Sequence, residues 1–127
     1  MTRTIWVIAC AWLLAGCALE VRREPVQFTA STEAIARSFV LRDNVVATPT
    51  SGYPRTLKAG STWKYVGRVP QGSVYAIQDD VFMLEGRHYH EAQCVLSDGQ
   101  TLVGFYLPVE KAFASIDRPV QLPQQRP

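Results

Sequence analysis

Apolar and polar residues alternate with a period of two through much of the chain, the period of a strand that buries one face. In Thr62-Trp63-Lys64-Tyr65-Val66-Gly67-Arg68-Val69, the residues Trp63, Tyr65, Gly67 and Val69 share one face while Lys64 and Arg68 take the other. Ser38 to Leu41, Val45 to Thr48 and Ser73 to Ile77 read as further strands. Val81-Phe82-Met83-Leu84 is apolar without interruption and predicts a strand buried on both faces. Turn residues punctuate the pattern at Arg42-Asp43-Asn44, at Leu57 to Ser61 and at Pro70-Gln71-Gly72, and Pro49 to Arg55 forms the longest loop. Ser31 to Arg37 carries a cap and a short helical pattern that would feed the Ser38 strand.

The sharpest local signal is Ser97-Asp98-Gly99-Gln100, where Asp-Gly suits the two central residues of a tight hairpin turn. Such a turn sets a register in which Leu96 faces Thr101, Val95 faces Leu102, Cys94 faces Val103, Gln93 faces Gly104, Ala92 faces Phe105, Glu91 faces Tyr106 and His90 faces Leu107. One face then holds Ala92, Cys94, Val103, Phe105 and Leu107. The other mixes Val95 and Leu102 with Gln93, Glu91 and Tyr106. Pro108 stops the second strand because it has no amide to donate. Beyond it, Val109, Phe113 and Ile116 recur at helical spacing and predict a short helical segment over an open end of the sheet. From Asp117 the Pro- and Gln-rich tail reads as disordered, with polyproline character.

The first residues follow a different logic. Met1 to Thr4 carry one cation, Ile5 to Leu14 are apolar over the length of a signal-peptide core, and Leu14-Ala15-Gly16-Cys17 ends the run. This arrangement resembles the lipobox of bacterial lipoproteins. The resemblance implies cleavage before Cys17, a diacylglyceryl group and palmitate on that cysteine, and a protein held at the cell envelope. Ala18 stands where an Asp would resemble an inner-membrane retention signal, so the periplasmic face of the outer membrane is the expected address.

Processing at that point would remove sixteen of the 127 residues and leave 111, enough for one modest core. The leader takes Arg3 with it, so the net charge falls from +2 to +1. A balanced surface without a basic run argues against nucleic acid. Cys10 would leave with the leader and Cys17 would be acylated, which leaves Cys94 without a partner in the chain. Residues 17–30 then read as the lipidated cysteine and a solvated tether. The thirteen residues from Ala18 to Ala30 could span roughly 45 Å at about 3.5 Å per residue.

Candidate chemistry is sparse. His88 and His90 would project to one face of a strand and could share a divalent metal; equally, they are hydrogen-bonded structural groups at the end of the sheet. No G-x-S-x-G, H-E-x-x-H or Gly-rich phosphate loop occurs, so no catalytic residue and no other cofactor is assigned. Tyr53 in the long loop, together with Tyr89, Glu91 and Tyr106 on outward strand faces, makes the expected contact surface.

These features predict a mainly β domain over residues 31–116, a small antiparallel barrel or roll with a short C-terminal helical segment, flanked by the tether and a 117–127 tail. Phe39 to Leu107 looks like the bacterial SH3-like barrels. The expected function is a lipid-anchored binding module that contacts an envelope protein complex or peptidoglycan. The alternatives are a metal-binding or hydrolytic lipoprotein using His88 and His90, and a structural subunit of an envelope assembly.

Overall fold

The computed structural model describes residues 20–31 and 38–125. The helical turn expected at Ser31 to Arg37 and the acylation motif at Cys17 lie largely or wholly outside them. The described residues are built of strands: β1 (Glu24–Pro25), β2 (Thr29–Ala30), β3 (Phe39–Leu41), β4 (Val45–Ala47), β5 (Arg55–Leu57), β6 (Thr62–Val69), β7 (Gly72–Ile77), β8 (Met83–Glu85), β9 (Tyr89–Glu91), β10 (Gln93–Leu96), β11 (Thr101–Leu107), β12 (Ala112–Gln121) and β13 (Gln124–Gln125). The main antiparallel sheet runs β1-β12-β11-β10-β7-β6-β3-β13, with β2 beside β3 on the free edge of β6. Two short hairpins, β4–β5 and β8–β9, stand apart from it. The hydrogen-bonded path has two ends, so the sheet is an open roll and not a closed barrel.

Alternation holds through the first half of β6, where Trp63 and Tyr65 enter the main core and Lys64 stays in solvent; a bulge between Tyr65 and Gly67 then turns Gly67 and Val69 to the opposite side, so the four residues expected on one face divide between two. The sheet cannot stop there. Cys94, Leu96, Leu102, Phe105 and Leu107 fill one side of β10 and β11, yet Val95, Val103 and Tyr106 leave the opposite side apolar too. Buried on both faces, these strands need a second cover. The chain supplies it from its own N-terminal segment. β1 pairs with β12, β2 pairs with β6, and Val26 and Phe28 between them cross the outside of the sheet over Val69, Val74, Val95, Tyr106 and Phe113. Phe28 stacks on Tyr106 with ring centroids 4.9 Å apart and planes 13° from parallel. At Gly67 any side chain would collide with the Thr29 carbonyl and the Phe28 ring, so glycine permits this close approach. Residues 20–30 are therefore a strap, and the expectation of a free tether does not hold from Glu20 onward.

The β10–β11 hairpin forms where the sequence expects it, with a different register. Ser97 to Gln100 make a four-residue loop closed by Ser97 N–H to Thr101 O at 3.0 Å, and the observed pairs are Leu96 with Leu102, Val95 with Gly104, Cys94 with Phe105 and Gln93 with Tyr106. Asp98 decides the longer loop. Its carboxylate accepts from the Gln100 and Thr101 amides at 2.9 and 2.7 Å and from the Thr101 hydroxyl at 3.0 Å, satisfying donors that a two-residue turn would place elsewhere. A bulge around Val103 then returns Phe105 and Leu107 to the core face.

The expected C-terminal helix is a strand. Pro108 ends β11 and a turn through Lys111 (φ 55°) reverses the chain into the ten residues of β12. An odd spacing separates faces on a strand, so Phe113 covers the outer side while Ile116 enters the main core. The segment read as a disordered tail continues β12 through Gln121, buries Leu122, and pairs Gln124 and Gln125 with Leu41 and Val40. One C-terminal segment thus spans from β11 to β3 and draws the two sides of the roll together.

Candidate functional site

Among the described residues, two places gather chemistry-bearing side chains. The first surrounds the entry of the chain at Glu20. Val21 is fully buried, and Ser51 fixes the backbone on either side of it, its hydroxyl donating to the Glu20 carbonyl at 2.5 Å and accepting the Arg22 amide at 2.6 Å. Three turns converge here. The loop from Pro49 to Pro54 is tied to β12 through Thr50 N–H to Ser115 O and to β8 through Tyr53 N–H to Glu85 O. The β8–β9 hairpin contributes Gly86 to Tyr89, and the β11–β12 turn contributes Val109 to Lys111.

His90 is 5% exposed and is the polar centre of this end. Its Nδ1 lies 2.6 Å from Glu110 Oε2, while Nε2 has no hydrogen-bond partner among the described residues, with Glu20 Oε1 4.0 Å away. Arg23 binds the same Glu20 oxygen at 3.1 Å, and that hydrogen bond, helped by the charges of His88, Arg23 and His90, holds the Glu20 carboxyl below its usual range. His88 is exposed, and its ring meets that of His90 edge to face at 6.5 Å. Among the described residues no group of three or more His, Cys, Asp or Glu side chains converges on a point that could hold a metal. The geometry favours the structural role for His90: it ties β9 to the β11–β12 turn.

The remaining sequence-derived contact residues separate. Tyr53 and Tyr89 are exposed, at 42% and 69%, on the two loops that meet beside Glu20. Glu91 is half-buried and pairs with Met83 in β8. Tyr106 is a correction. It faces away from Cys94 as alternation requires, but the strap covers that face, leaving it 4% exposed with its phenol pushed up by burial. Cys94 is fully buried in the main core, and burial pushes its thiol well above the ordinary value, which makes it a poor nucleophile.

The second place was not legible beforehand. Between the β4–β5 hairpin and the main sheet lies a cleft of about 480 Å³ whose wall includes Arg55, Lys58, Trp63, Ile77, Asp80 and Phe82. Its floor is a ladder of rings: Trp63 meets Phe82 edge-on at 5.7 Å, and the Arg55 guanidinium sits 5.4 Å over the Phe82 ring while donating to Glu85 at 2.9 Å. Trp63 Nε1–H donates to the Ser61 hydroxyl at 2.9 Å. Val81, 59% exposed at the rim, is where the expectation of a strand buried on both faces fails. Buried Trp63 and Phe82 underlie the cleft and Arg55, Lys58 and Asp80 line it, a wall of mixed polarity that suits a peptide or small polar ligand.

No protein-family model, no curated protein and no solved structure matches this chain.

Proposed function

We propose that the protein is a lipid-anchored binding module of the bacterial cell envelope, cleaved before Cys17, acylated there, and displayed from the periplasmic face of the outer membrane to an envelope protein complex or to the cell wall. The observation that carries this reading is Leu14-Ala15-Gly16-Cys17 at the end of an apolar leader, followed only four residues later by Val21, already locked into a β body. The Arg55–Phe82–Trp63 cleft supplies a contact site of suitable size and mixed polarity. The small antiparallel roll with short edge hairpins is the kind of scaffold that presents loops and clefts to partners, in keeping with the SH3-like resemblance.

Fractionation of cells producing the wild type and Cys17→Ala, combined with a photoreactive residue at Val81, tests this. The wild type is expected in the membrane fraction, with a crosslink to one envelope protein or to peptidoglycan, and Cys17→Ala is expected outside the membrane fraction. Identical fractionation of the two forms, or a crosslink to nothing in the envelope, contradicts the reading.

A further inference from the structure

Among the described residues, the large apolar side chains left exposed are Val46, Tyr53, Val81, Tyr89 and Val109. Three of them, Tyr53, Tyr89 and Val109, sit on the three turns that meet around Glu20 and Val21. The links are short: Tyr53 N–H reaches Glu85 O at 3.3 Å, Glu85 pairs directly with Tyr89, and Val109 adjoins Glu110, whose carboxylate is 2.6 Å from His90 beside Tyr89. Exposed Arg22, Arg87 and Lys111 lie on the same segments. Glu20 pairs with Arg23 and Glu110 lies against His90, and among the described residues no carboxylate forms an ion pair with Arg22, Arg87 or Lys111.

Covalent length adds a constraint. Only Ala18 and Leu19 separate Glu20 from Cys17, and three Cα steps span at most about 11 Å. The headgroup layer on one side of a bilayer is roughly 5–7 Å thick. An acylated Cys17 would therefore hold Glu20, and the turns around it, in or just above that layer. Tyrosines beside cations are the side chains that favour this zone, with rings among the headgroups and charges toward lipid phosphates.

We infer that this end of the roll, with Tyr53, Tyr89 and Val109 as apolar contacts and Arg22, Arg87 and Lys111 as phosphate contacts, docks on the anionic headgroup surface of the membrane that carries the anchor. The inference rests on the acylation of Cys17 and goes beyond it by fixing orientation. A short strap replaces a long tether.

The test uses full-length protein purified from membranes, with the mass of its N-terminal peptide recorded, reconstituted into vesicles of 70% phosphatidylethanolamine and 30% phosphatidylglycerol (about a third anionic). Single spin labels replace Tyr53, Tyr89 or Val109, with Gln100 as the distal control. Gln100 precedes β11, whose seven residues place it roughly 20 Å from the docking end at about 3.4 Å per residue. Docking predicts that labels at 53, 89 and 109 lose access to a water-soluble relaxation agent and gain access to oxygen, while the label at 100 does not change. It also predicts that each of Arg22→Gln, Arg87→Gln and Lys111→Gln, in protein lacking the acyl chains, weakens vesicle binding about fivefold. An acylated protein whose three labels stay as wet as the control overturns docking and leaves the anchor standing. A peptide mass without acyl chains overturns both. Spin–spin broadening at position 89 would assign the face to a second copy and overturn the membrane as its occupant.

Discussion

Cys94 carries the clearest residue-scale consequence of burial. Because folding raises its thiol value, the folded state favours the protonated thiol; that stability is complete below the ordinary unfolded value near about 8.5 and is lost as pH climbs from there toward the raised folded value. Tyr106 acts in the same direction from about 10 upward, since burial under Phe28 raises its phenol. Urea midpoints measured against pH should fall in two alkaline stages. Cys94→Ala should remove the earlier stage and Tyr106→Phe the later one, and a midpoint flat to pH 11 contradicts both assignments. Asp98 works at the acid end. The Gln100 and Thr101 amides hold its carboxyl below the usual value, so the turn's contribution is present above that usual value and is lost as pH falls through the lowered one. Asp98→Asn should lower stability at neutral pH and flatten this acid limb. Residue identity made the apolar environment of Cys94 and the turn at Asp98 legible in the sequence. It did not reveal that three donors would gather on one carboxylate, because a hydrogen-bond count depends on loop length.

At the scale of elements, β6 was legible as a strand from its alternation, but a bulge after Tyr65 sends Gly67 and Val69 to the other face, and faces were illegible where both sides are apolar. Two-sided burial erases the period of two, so β10 and β11 gave a correct hairpin with a slipped register, and the bulge at Val103 moved Leu102 to the core side. The 109–116 segment shows the complementary failure. Three apolar residues at helical spacing also fit a turn plus a strand that buries both faces, and Phe113 and Ile116 in fact divide between two cores. Residues 20–30 looked like a linker because their apolar members, Val21, Val26 and Phe28, are few; each nevertheless covers a specific site. Phe28→Ala should cost about 2 kcal/mol in chemical denaturation, below the full value of a core phenylalanine because Phe28 is half-buried. Gly67→Ala should cost roughly 1–3 kcal/mol by pushing β2 off β6. A loss under about 0.5 kcal/mol for either would show that the strap is not part of the cooperative unit. Ser51→Ala should loosen the latch at Glu20 for about 1 kcal/mol without opening the sheet.

For the whole molecule, the antiparallel β class was legible from the sequence, while closure and boundaries were not. The body was expected over residues 31–116; the fold instead recruits the chain from Glu20 and runs to Gln125, because the second face of the sheet needs the N-terminal strap and the two sides of the roll share one C-terminal segment. The candidate contact surface changed with it. Tyr53 and Tyr89 come together at the chain's entry point, Tyr106 is covered, and the Arg55–Phe82–Trp63 cleft emerges from elements distant in sequence. The strap is the feature on which the proposed orientation at a membrane depends, since a free linker of the same length would let the body face any direction. Amide hydrogen exchange over residues 20–31 of the full-length protein tests it most directly. The Arg22, Val26 and Ser31 amides, which donate to Ser51 Oγ, Lys111 O and Val66 O, are predicted to exchange as slowly as those of β10 and β11; exchange at the rate of a free peptide would contradict the account.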